Sequence, residues 1–196
     1  LEQHFGAAEH NRQKLAAFLA IVRKLAIITG GPGTGKTSTV VKILDILLEE
    51  YPDLTIKLVA PTGKAAMRLS DSIDEWADTR GRKFQVQTLH RLLGMRKDGR
   101  SWRHGPHNRV KVDLLIVDEA SMLSSSLMYH LLTALADDAE VILVGDPDQL
   151  ASVDAGTVLG DIAGFRSERY KKHPLHNKIA ELTTVHRAKD APGIKA

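Results

Sequence analysis

The amino-acid sequence predicts an α/β fold in which a parallel sheet carries helices on both faces. Segments with the pattern of strands alternate with segments of helical periodicity, which is typical of parallel sheets. The segments Leu114–Val117 and Val141–Gly145 are continuously apolar, as expected for strands covered on both faces. Each polar motif begins where a predicted strand ends, and that edge is where such sheets bind ligands.

The elements follow from apolar periodicity, and we interpret the 196 residues as a single domain. The predicted strands are residues 25–29, 55–60, 114–120 and 141–145, with a candidate final strand within 179–187. The predicted helices cover about residues 11–23, 36–50, 63–76, 88–94, 124–136 and 156–163. A basic insertion at about 79–112 and a carboxyl-terminal extension at about 165–196 complete the predicted domain.

The composition is that of a globular protein, with 43% hydrophobic and 26% charged residues. The absence of Cys excludes disulfides, thiolate zinc sites, iron–sulfur clusters and a cysteine nucleophile, and the His residues form no metal-binding pattern. No apolar run approaches the roughly 20 residues of a membrane-spanning helix. The start has neither a signal pattern nor an initiator Met. We therefore expect a cytoplasmic protein without a membrane partner, cut from a longer chain.

Positive charge is concentrated in two stretches, although the net charge is only +3 and the pI is about 9.1. The first stretch has Asp98 as its one acidic residue, and its basic residues are Arg80, Arg82, Lys83, Arg91, Arg96, Lys97, Arg100, Arg103, Arg109 and Lys111. The second stretch is Arg166–Lys178. This asymmetry favours a polyanion as partner, and the alternative is a solvated basic surface.

The segment Gly30–Thr37 matches the phosphate-loop pattern G-x-x-x-x-G-K-[ST], between a predicted strand and a predicted helix. Its glycines let backbone N–H groups turn toward a triphosphate, and the helix adds its positive end. Lys36 is expected to reach the β and γ phosphates, and the Thr37 hydroxyl to bind Mg²⁺. The expected nucleotide-binding residues of the loop are Gly30, Gly31, Pro32, Gly33, Thr34, Gly35, Lys36, Thr37 and Ser38. The alternative is a chance glycine turn ahead of a helix.

A second motif, Leu114–Ser121, places Asp118 and Glu119 after an apolar strand. We expect Asp118 to hold Mg²⁺ and Glu119 to activate the water that attacks the γ phosphate. The alternative is a pair of surface acids after a core strand. Together the two motifs predict hydrolysis of a nucleoside triphosphate.

Two further motifs are weaker on their own. Gln149, in the turn after residues 141–145, is expected to contact the attacking water or the γ phosphate, and the alternative is a polar turn. Thr62 and Lys64 open a helix after a strand, where they suit a nucleic-acid phosphate; the alternative is a capped helix whose Lys64 is solvated. Trp102 beside Arg103 suits stacking on an unpaired base, or is a partly buried loop aromatic.

The motifs together resemble those of superfamily 1 DNA helicases, and within them the RecD-type alpha subunit of bacterial exodeoxyribonuclease V. The segments that carry the resemblance are, in order, GGPGTGKT, APTGKAAMRL, TLHRLLG, LLIVDEASM, GDPDQLASVDAGTVLGDI and TVHR. The resemblance covers about residues 11–195. It implies a RecA-like P-loop NTPase domain, the first motor domain of an ATP-dependent helicase that moves 5′ to 3′ on single-stranded DNA.

The resemblance also assigns roles by position. Gln13 matches the adenine-recognising glutamine, and Gln149 matches the γ-phosphate sensor. Arg187 matches an arginine that completes the ATP site. The residues that match single-stranded DNA contacts are Pro61, Thr62, Gly63, Thr88 and His90.

The family's cofactors are ATP and Mg²⁺, and its partners are single- and double-stranded DNA and the beta and gamma subunits of the exodeoxyribonuclease. The family's second RecA-like domain and its amino-terminal docking region are not in this sequence, and neither is a nuclease site. We therefore expect the chain alone to hydrolyse ATP poorly and not to unwind DNA. Three alternatives are a stand-alone RecD-like helicase, a phosphate-loop kinase or NTPase acting on a soluble substrate, and a module that senses ATP without mechanical work.

Overall fold

The fold is built from six strands and seven α-helices in the computed structural model, which describes residues 1–5, 11–99, 101–149 and 158–184. The strands are β1 (Leu25–Gly30), β2 (Ile56–Ala60), β3 (Val86–Thr88), β4 (Leu114–Val117), β5 (Glu140–Gly145) and β6 (Ile179–Leu182). The helices are α1 (Glu2–Phe5), α2 (Asn11–Val22), α3 (Lys36–Glu50), α4 (Gly63–Thr79), α5 (Leu89–Leu93), α6 (Ser125–Ala134) and α7 (Val158–Gly164). No helix among these is long and apolar enough to span a membrane.

The strands form one sheet in the order β3-β2-β4-β5-β1-β6, and every neighbouring pair is parallel. The carboxyl ends of all six strands therefore meet at one edge, which we call the carboxyl edge. The predicted parallel α/β fold is confirmed. The loops that follow β1, β2, β4 and β5 contain the sequence motifs, so the topology brings these motifs to the same edge.

Helices cover both faces of the sheet, as predicted. Alternate residues of a strand enter different cores: Ile28 packs with α2, α3 and α4, whereas Ile27 packs with α5, α6 and α7. Both side chains are fully buried. Burial of each such side chain stabilises the fold by about 1.5–3 kcal/mol, which explains why the continuously apolar segments became central strands.

The structure differs from the prediction in the segment between α4 and β4. A short strand, β3, pairs with β2 within the predicted basic insertion, where no strand was predicted. Beyond α5, an antiparallel bridge joins Met95 to Trp102 and closes a hairpin. The predicted strand at 114–120 ends at Val117, because Glu119 adopts a positive φ and a 3₁₀ helix begins at Ala120.

Part of the basic stretch has a structural role. Arg80 pairs with Asp45 at 2.8 Å. Arg109 Nη1 donates to Thr133 O at 3.1 Å and also to Leu135 O, at the carboxyl end of α6, where a cation is favourable. The basic stretch is therefore not uniformly available to a partner.

Candidate active site

The loop between β1 and α3 has the backbone of a phosphate-binding turn. Gly33 and Gly35 have φ angles of 74° and 81°, in the left-handed region that Gly adopts without strain. Gly30 is constrained by space, since a Cβ there would lie 2.6 Å from Thr34 Oγ1 and 2.7 Å from Leu182 O. Glycine at this position lets the loop close against the end of β6.

Lys36 begins α3 and folds its side chain back into the loop. Its Nζ donates to Gly30 O at 2.6 Å and to Gly31 O at 3.1 Å. Gly35 provides no side-chain cap for the helix, and the first backbone N–H groups of a helix have no intrahelical acceptor. The ammonium group and these amides form a cationic cradle at the start of α3.

Hydroxyl groups hold the loop in this shape. Thr34 Oγ1 donates to Gly31 O at 2.8 Å, and Thr39 Oγ1 donates to Gly35 O at the same distance. Ser38 Oγ donates to Gly35 O at 2.9 Å. The hydroxyl proton of Ser38 is therefore used within the loop in this structure.

Strand β4 delivers Asp118 and Glu119 to the carboxyl edge. The Asp118 amide donates to Val59 O at 2.9 Å, so the main chain follows β2 one residue beyond β4. Glu119 has a φ of 51°, the one positive value at a non-glycine residue within the described ranges. Such a conformation costs of order 1–3 kcal/mol, and residues strained in this way cluster at functional sites.

The charges of the two motifs act on each other. Burial raises the pKa of Asp118 above its ordinary value of 3.8, and the neighbouring Glu119 carboxylate raises it further. The backbone N–H of Glu119 and the Lys36 ammonium act in the opposite direction and lower this pKa. Lys36 follows β1 and the acidic pair follows β4, so both motifs lie at the carboxyl edge of the parallel sheet.

Gln149 lies in the turn after β5, next to the acidic motif. Ser121 Oγ donates to Gln149 Oε1 at 3.3 Å. The turn is organised by Asp146, whose Oδ1 accepts from the Asp148 amide at 3.1 Å and whose carbonyl accepts from the Gln149 amide at 3.2 Å. Gln149 is itself exposed and lies in the turn that follows β5 at the carboxyl edge.

The predicted DNA contacts lie together at the other end of the carboxyl edge. Thr62 caps α4 by accepting from the Ala65 amide, and Thr88 caps α5 by accepting from the Arg91 amide, both at 3.2 Å. Ala60 pairs with Thr88 across β2 and β3, which places Pro61, Thr62 and Gly63 beside Thr88. His90 and Gly63 are exposed.

Two further predicted nucleotide contacts, Gln13 and Arg187, lie outside the phosphate loop, one before it and one after it in the sequence. Gln13 is only 6% exposed, which is unusual for Gln. It lies in the first turn of α2, which packs on β6 and β1, and the neighbouring Arg12 donates to Glu181 O at 3.2 Å. Gln13 is thus on the helix that packs on the β1 and β6 end of the sheet. Arg187 lies outside the described residues.

Three residues that the sequence reasoning did not select help to build the site. Ser121 and Asp146 position Gln149. Gly145, at the end of β5, lets the segment after Glu119 approach the turn that carries Gln149. A Cβ at Gly145 would lie 3.0 Å from the Ser121 amide nitrogen. Ser121 and Asp146 lie within the motifs LLIVDEAS and GDPDQL, so membership of a motif was their only signal in sequence.

The residues present fit a triphosphate and a divalent cation. The loop has two left-handed glycines, an ammonium group and uncapped helix amides, all of which favour phosphate. Thr37 and Asp118 offer hydroxyl and carboxylate oxygens, the ligand types that Mg²⁺ prefers. Burial raises the pKa of Asp118, and a cation bound there would favour its ionised carboxylate.

Comparisons with known proteins agree with the fold and the motifs. A family model described as an AAA domain matches residues 13–155. The RecBCD enzyme subunit RecD of Mycolicibacterium smegmatis is 42% identical over 205 residues, covering 98% of this chain and 35% of that protein. The ATP-dependent RecD2 DNA helicase of Deinococcus radiodurans is 46% identical over 136 residues, covering 69% of this chain and 17% of that helicase.

A solved structure shows the same architecture at lower sequence identity. The Pif1 helicase from Candida albicans superposes with a TM-score of 0.55 and 20% identity, covering 92% of this chain and 41% of that chain. This likeness supports the fold alone. The chain spans about a third of the length of the first RecD relative. The chain therefore belongs to the AAA domain family and is a homologue of the RecD subunits.

Proposed function

We propose that this chain is the ATP-hydrolysing motor domain of a DNA helicase. The observation that carries the proposal is that the loop with Lys36 and the segment with Asp118 follow β1 and β4 at one edge of the sheet, where β2 and β3 also end. The RecD homology supports the same function. The domain division, with a basic insertion at 79–112 and an extension at 165–196, is part of the proposal.

The residues of the site divide the work of ATP hydrolysis. Lys36 and the amides of α3 bind the β and γ phosphates, replacing the contacts that Nζ makes with Gly30 O and Gly31 O. Thr37 and Asp118 hold Mg²⁺, which neutralises phosphate charge when bound. Glu119 takes a proton from the attacking water.

The remaining residues sense and position the nucleotide. Gln149, held by Ser121, contacts the γ phosphate or the water, so its state differs between ATP and ADP. Gln13 recognises adenine from α2, and Arg187 completes the site.

The ends of β2 and β3 provide the DNA side of the motor. Single-stranded DNA runs past Pro61, Thr62 and Gly63 and past Thr88 and His90. The hydroxyls of Thr62 and Thr88 accept from backbone amides and still have a proton to donate to a phosphate oxygen. The ATP site and the DNA path thus share one sheet edge. A displacement of the loops after β4 and β5 therefore changes the geometry of both the ATP site and the DNA path.

We propose that the parent protein is the alpha subunit of exodeoxyribonuclease V. There it moves 5′ to 3′ on single-stranded DNA with the beta and gamma subunits, in recombinational repair of double-strand breaks. The RecD homology favours this assignment. The RecD2 match supports the alternative of a stand-alone helicase. Purification of the protein from its own cells distinguishes the two, since only the first predicts stoichiometric beta and gamma subunits.

Lys36→Ala in the intact protein is the direct test of the active site. We expect ATP turnover to be abolished, with thermal stability nearly unchanged, because Lys36 contacts only loop carbonyls in this structure. The measurement is steady-state ATP hydrolysis with and without single-stranded DNA. Lys111→Ala is the control, since Lys111 is an exposed lysine that precedes β4 at the opposite edge.

Glu119→Gln separates hydrolysis from binding. We expect it to retain Mg²⁺·ATP while slowing turnover by about 10²–10⁴-fold, the contribution of a general base. Glu50→Gln, an exposed position at the end of α3, is the matched control. Unchanged turnover in Glu119→Gln would show that this site does not hydrolyse ATP. Turnover that DNA does not stimulate in the wild type would instead favour an NTPase or kinase with a soluble substrate.

A further inference from the structure

A row of rings connects α5 to the outer face of α6. The ring centroids of His90 and Trp102 are 5.6 Å apart, and those of Trp102 and His130 are 5.3 Å apart. The row continues to Tyr129, whose ring meets that of His130 edge-on at 5.6 Å. It begins at His90, which is one of the proposed DNA contacts.

The hairpin that carries Trp102 is fixed to α5. The Arg103 amide donates to Gly94 O and the His104 amide donates to Leu93 O, both at 3.0 Å. Trp102 is half-buried, and its ring lies between the two histidine rings and contacts both. The ring at the end of the row, Tyr129, is 64% exposed.

The outer face of α6 is unusual for a helix surface. Residues 124–136 contain no Asp, Glu, Lys or Arg, whereas an exposed helix face is ordinarily rich in charge. Leu132, one turn beyond Tyr129, is 51% exposed. An uncharged face with a prominent aromatic ring is typical of a surface that binds a partner.

The charge around the row indicates what that partner is. Exposed cations are present on α5 and on the hairpin that carries Trp102, namely Arg91, Arg96, Lys97 and Arg103. Asp98 is the one acidic residue in the sequence from 80 to 112. A polyanion that also presents flat apolar faces fits both the cations and the ring, and unpaired nucleic acid has this chemistry. Paired bases are stacked within the duplex and do not offer their faces in this way.

We propose that Tyr129 is a stacking platform for a base of single-stranded DNA, which extends the DNA path from His90 across the hairpin onto α6. The proposal rests on the proposed helicase function and adds a binding position to it. Bases stack on the Tyr129 ring, and the phosphates between this position and His90 lie against Arg103 and its neighbouring cations.

The test is the affinity of the intact protein for oligothymidylates of increasing length. We expect Tyr129→Ala to weaken binding by about 5- to 150-fold for oligonucleotides long enough to reach α6. The shortest oligonucleotides that still bind should be unaffected, since they occupy only the His90 region. Tyr129→Phe should bind as the wild type does, because the ring is retained.

Tyr51→Ala is the matched control, since Tyr51 is 56% exposed and lies at the far end of α3. Thermal stability and Mg²⁺·ATP affinity should be the same in all three variants. Wild-type affinity of Tyr129→Ala at every length would overturn the inference and assign the face to another partner, such as a protein, while leaving the helicase function intact. Failure of the wild type to bind any oligonucleotide would overturn both.

Discussion

Replacing Gly145 with Ala tests whether the acidic motif depends on its close contact with the end of β5. The added Cβ would lie 2.5 Å from Leu159 Cδ2, and 3.0 Å and 3.2 Å from the amide nitrogens of Ser121 and Ala120. The Leu159 methyl group can move by a rotation of its side chain. The two nitrogens belong to the backbone of the 3₁₀ helix that follows Glu119, so they move only if that segment moves.

The size of the effect follows from these contacts. Insertion of an extra methyl group into a packed region costs about 1–3 kcal/mol. In a domain of this size, each kcal/mol lowers the Tm by about 2–4 °C. Because the displaced segment carries Glu119 and the Ser121 hydroxyl that holds Gln149, ATP turnover should fall further than the loss of stability explains.

The assay is thermal unfolding together with ATP turnover at a temperature where both proteins are folded. Gly164→Ala is the control, since Gly164 ends α7 with no atom within 4 Å of an added Cβ. A Gly→Ala change without strain stabilises a protein by about 0.4–1 kcal/mol. If Gly145→Ala matched Gly164→Ala in both Tm and turnover, the close packing would not position the acidic motif.

Two further predictions concern charge. Asp118→Asn should stabilise the nucleotide-free protein at neutral pH, because the pKa of Asp118 is raised in the fold and stability is therefore lost as the pH rises through that pKa. The gain in stability of the variant over the wild type should disappear as the pH falls toward the unfolded pKa of 3.8. The measurement is denaturant unfolding of both proteins between neutral and acidic pH, and a gain in unfolding free energy that did not narrow would contradict the prediction. Binding of DNA should weaken when the cations Arg96, Lys97 and Arg103 are removed together with Arg100, which lies outside the described residues. The slope of the logarithm of the binding constant against the logarithm of the salt concentration should flatten by about 0.7 per lost phosphate contact. An unaltered slope would mean that the hairpin does not contact DNA.

Much of the fold was predictable because its signals are local. The central strands β4 and β5 are continuously apolar, and the phosphate loop has a fixed glycine spacing, so short windows of sequence contained the necessary information. The boundaries of α3 matched the prediction because Gly35 and the Tyr-Pro-Asp segment mark its two ends. The predictions on Arg187 concern residues that the structure does not describe.

Other features depend on contacts between distant segments. Strand β3 has three residues of mixed polarity, and its strand conformation comes from pairing with β2. The requirement for glycine at 145 arises only when the backbone at Ser121 approaches it. The left-handed Glu119 is likewise imposed by its surroundings, since no propensity favours that conformation for Glu.

Aromatic residues were the hardest to place from sequence. Trp76 stacks on Phe84 with ring centroids 5.8 Å apart, and both pack against the core. Trp102 is also half-buried, but between two histidines that lie far from each other in sequence. A hydrophobicity pattern contains no information on such a contact.

The central claim is that Lys36 and Asp118 act on one bound Mg²⁺·triphosphate, and a double-mutant cycle tests it most directly. The affinities of the wild type, Lys36→Ala, Asp118→Asn and the double variant for a non-hydrolysable ATP analogue are measured with Mg²⁺ present. Groups that share one site show coupling of about 0.5–3 kcal/mol, so we predict that the double variant loses clearly less than the sum of the single losses. Additive losses, within about 0.3–0.5 kcal/mol, would contradict the account, because they would mean that the two side chains act independently.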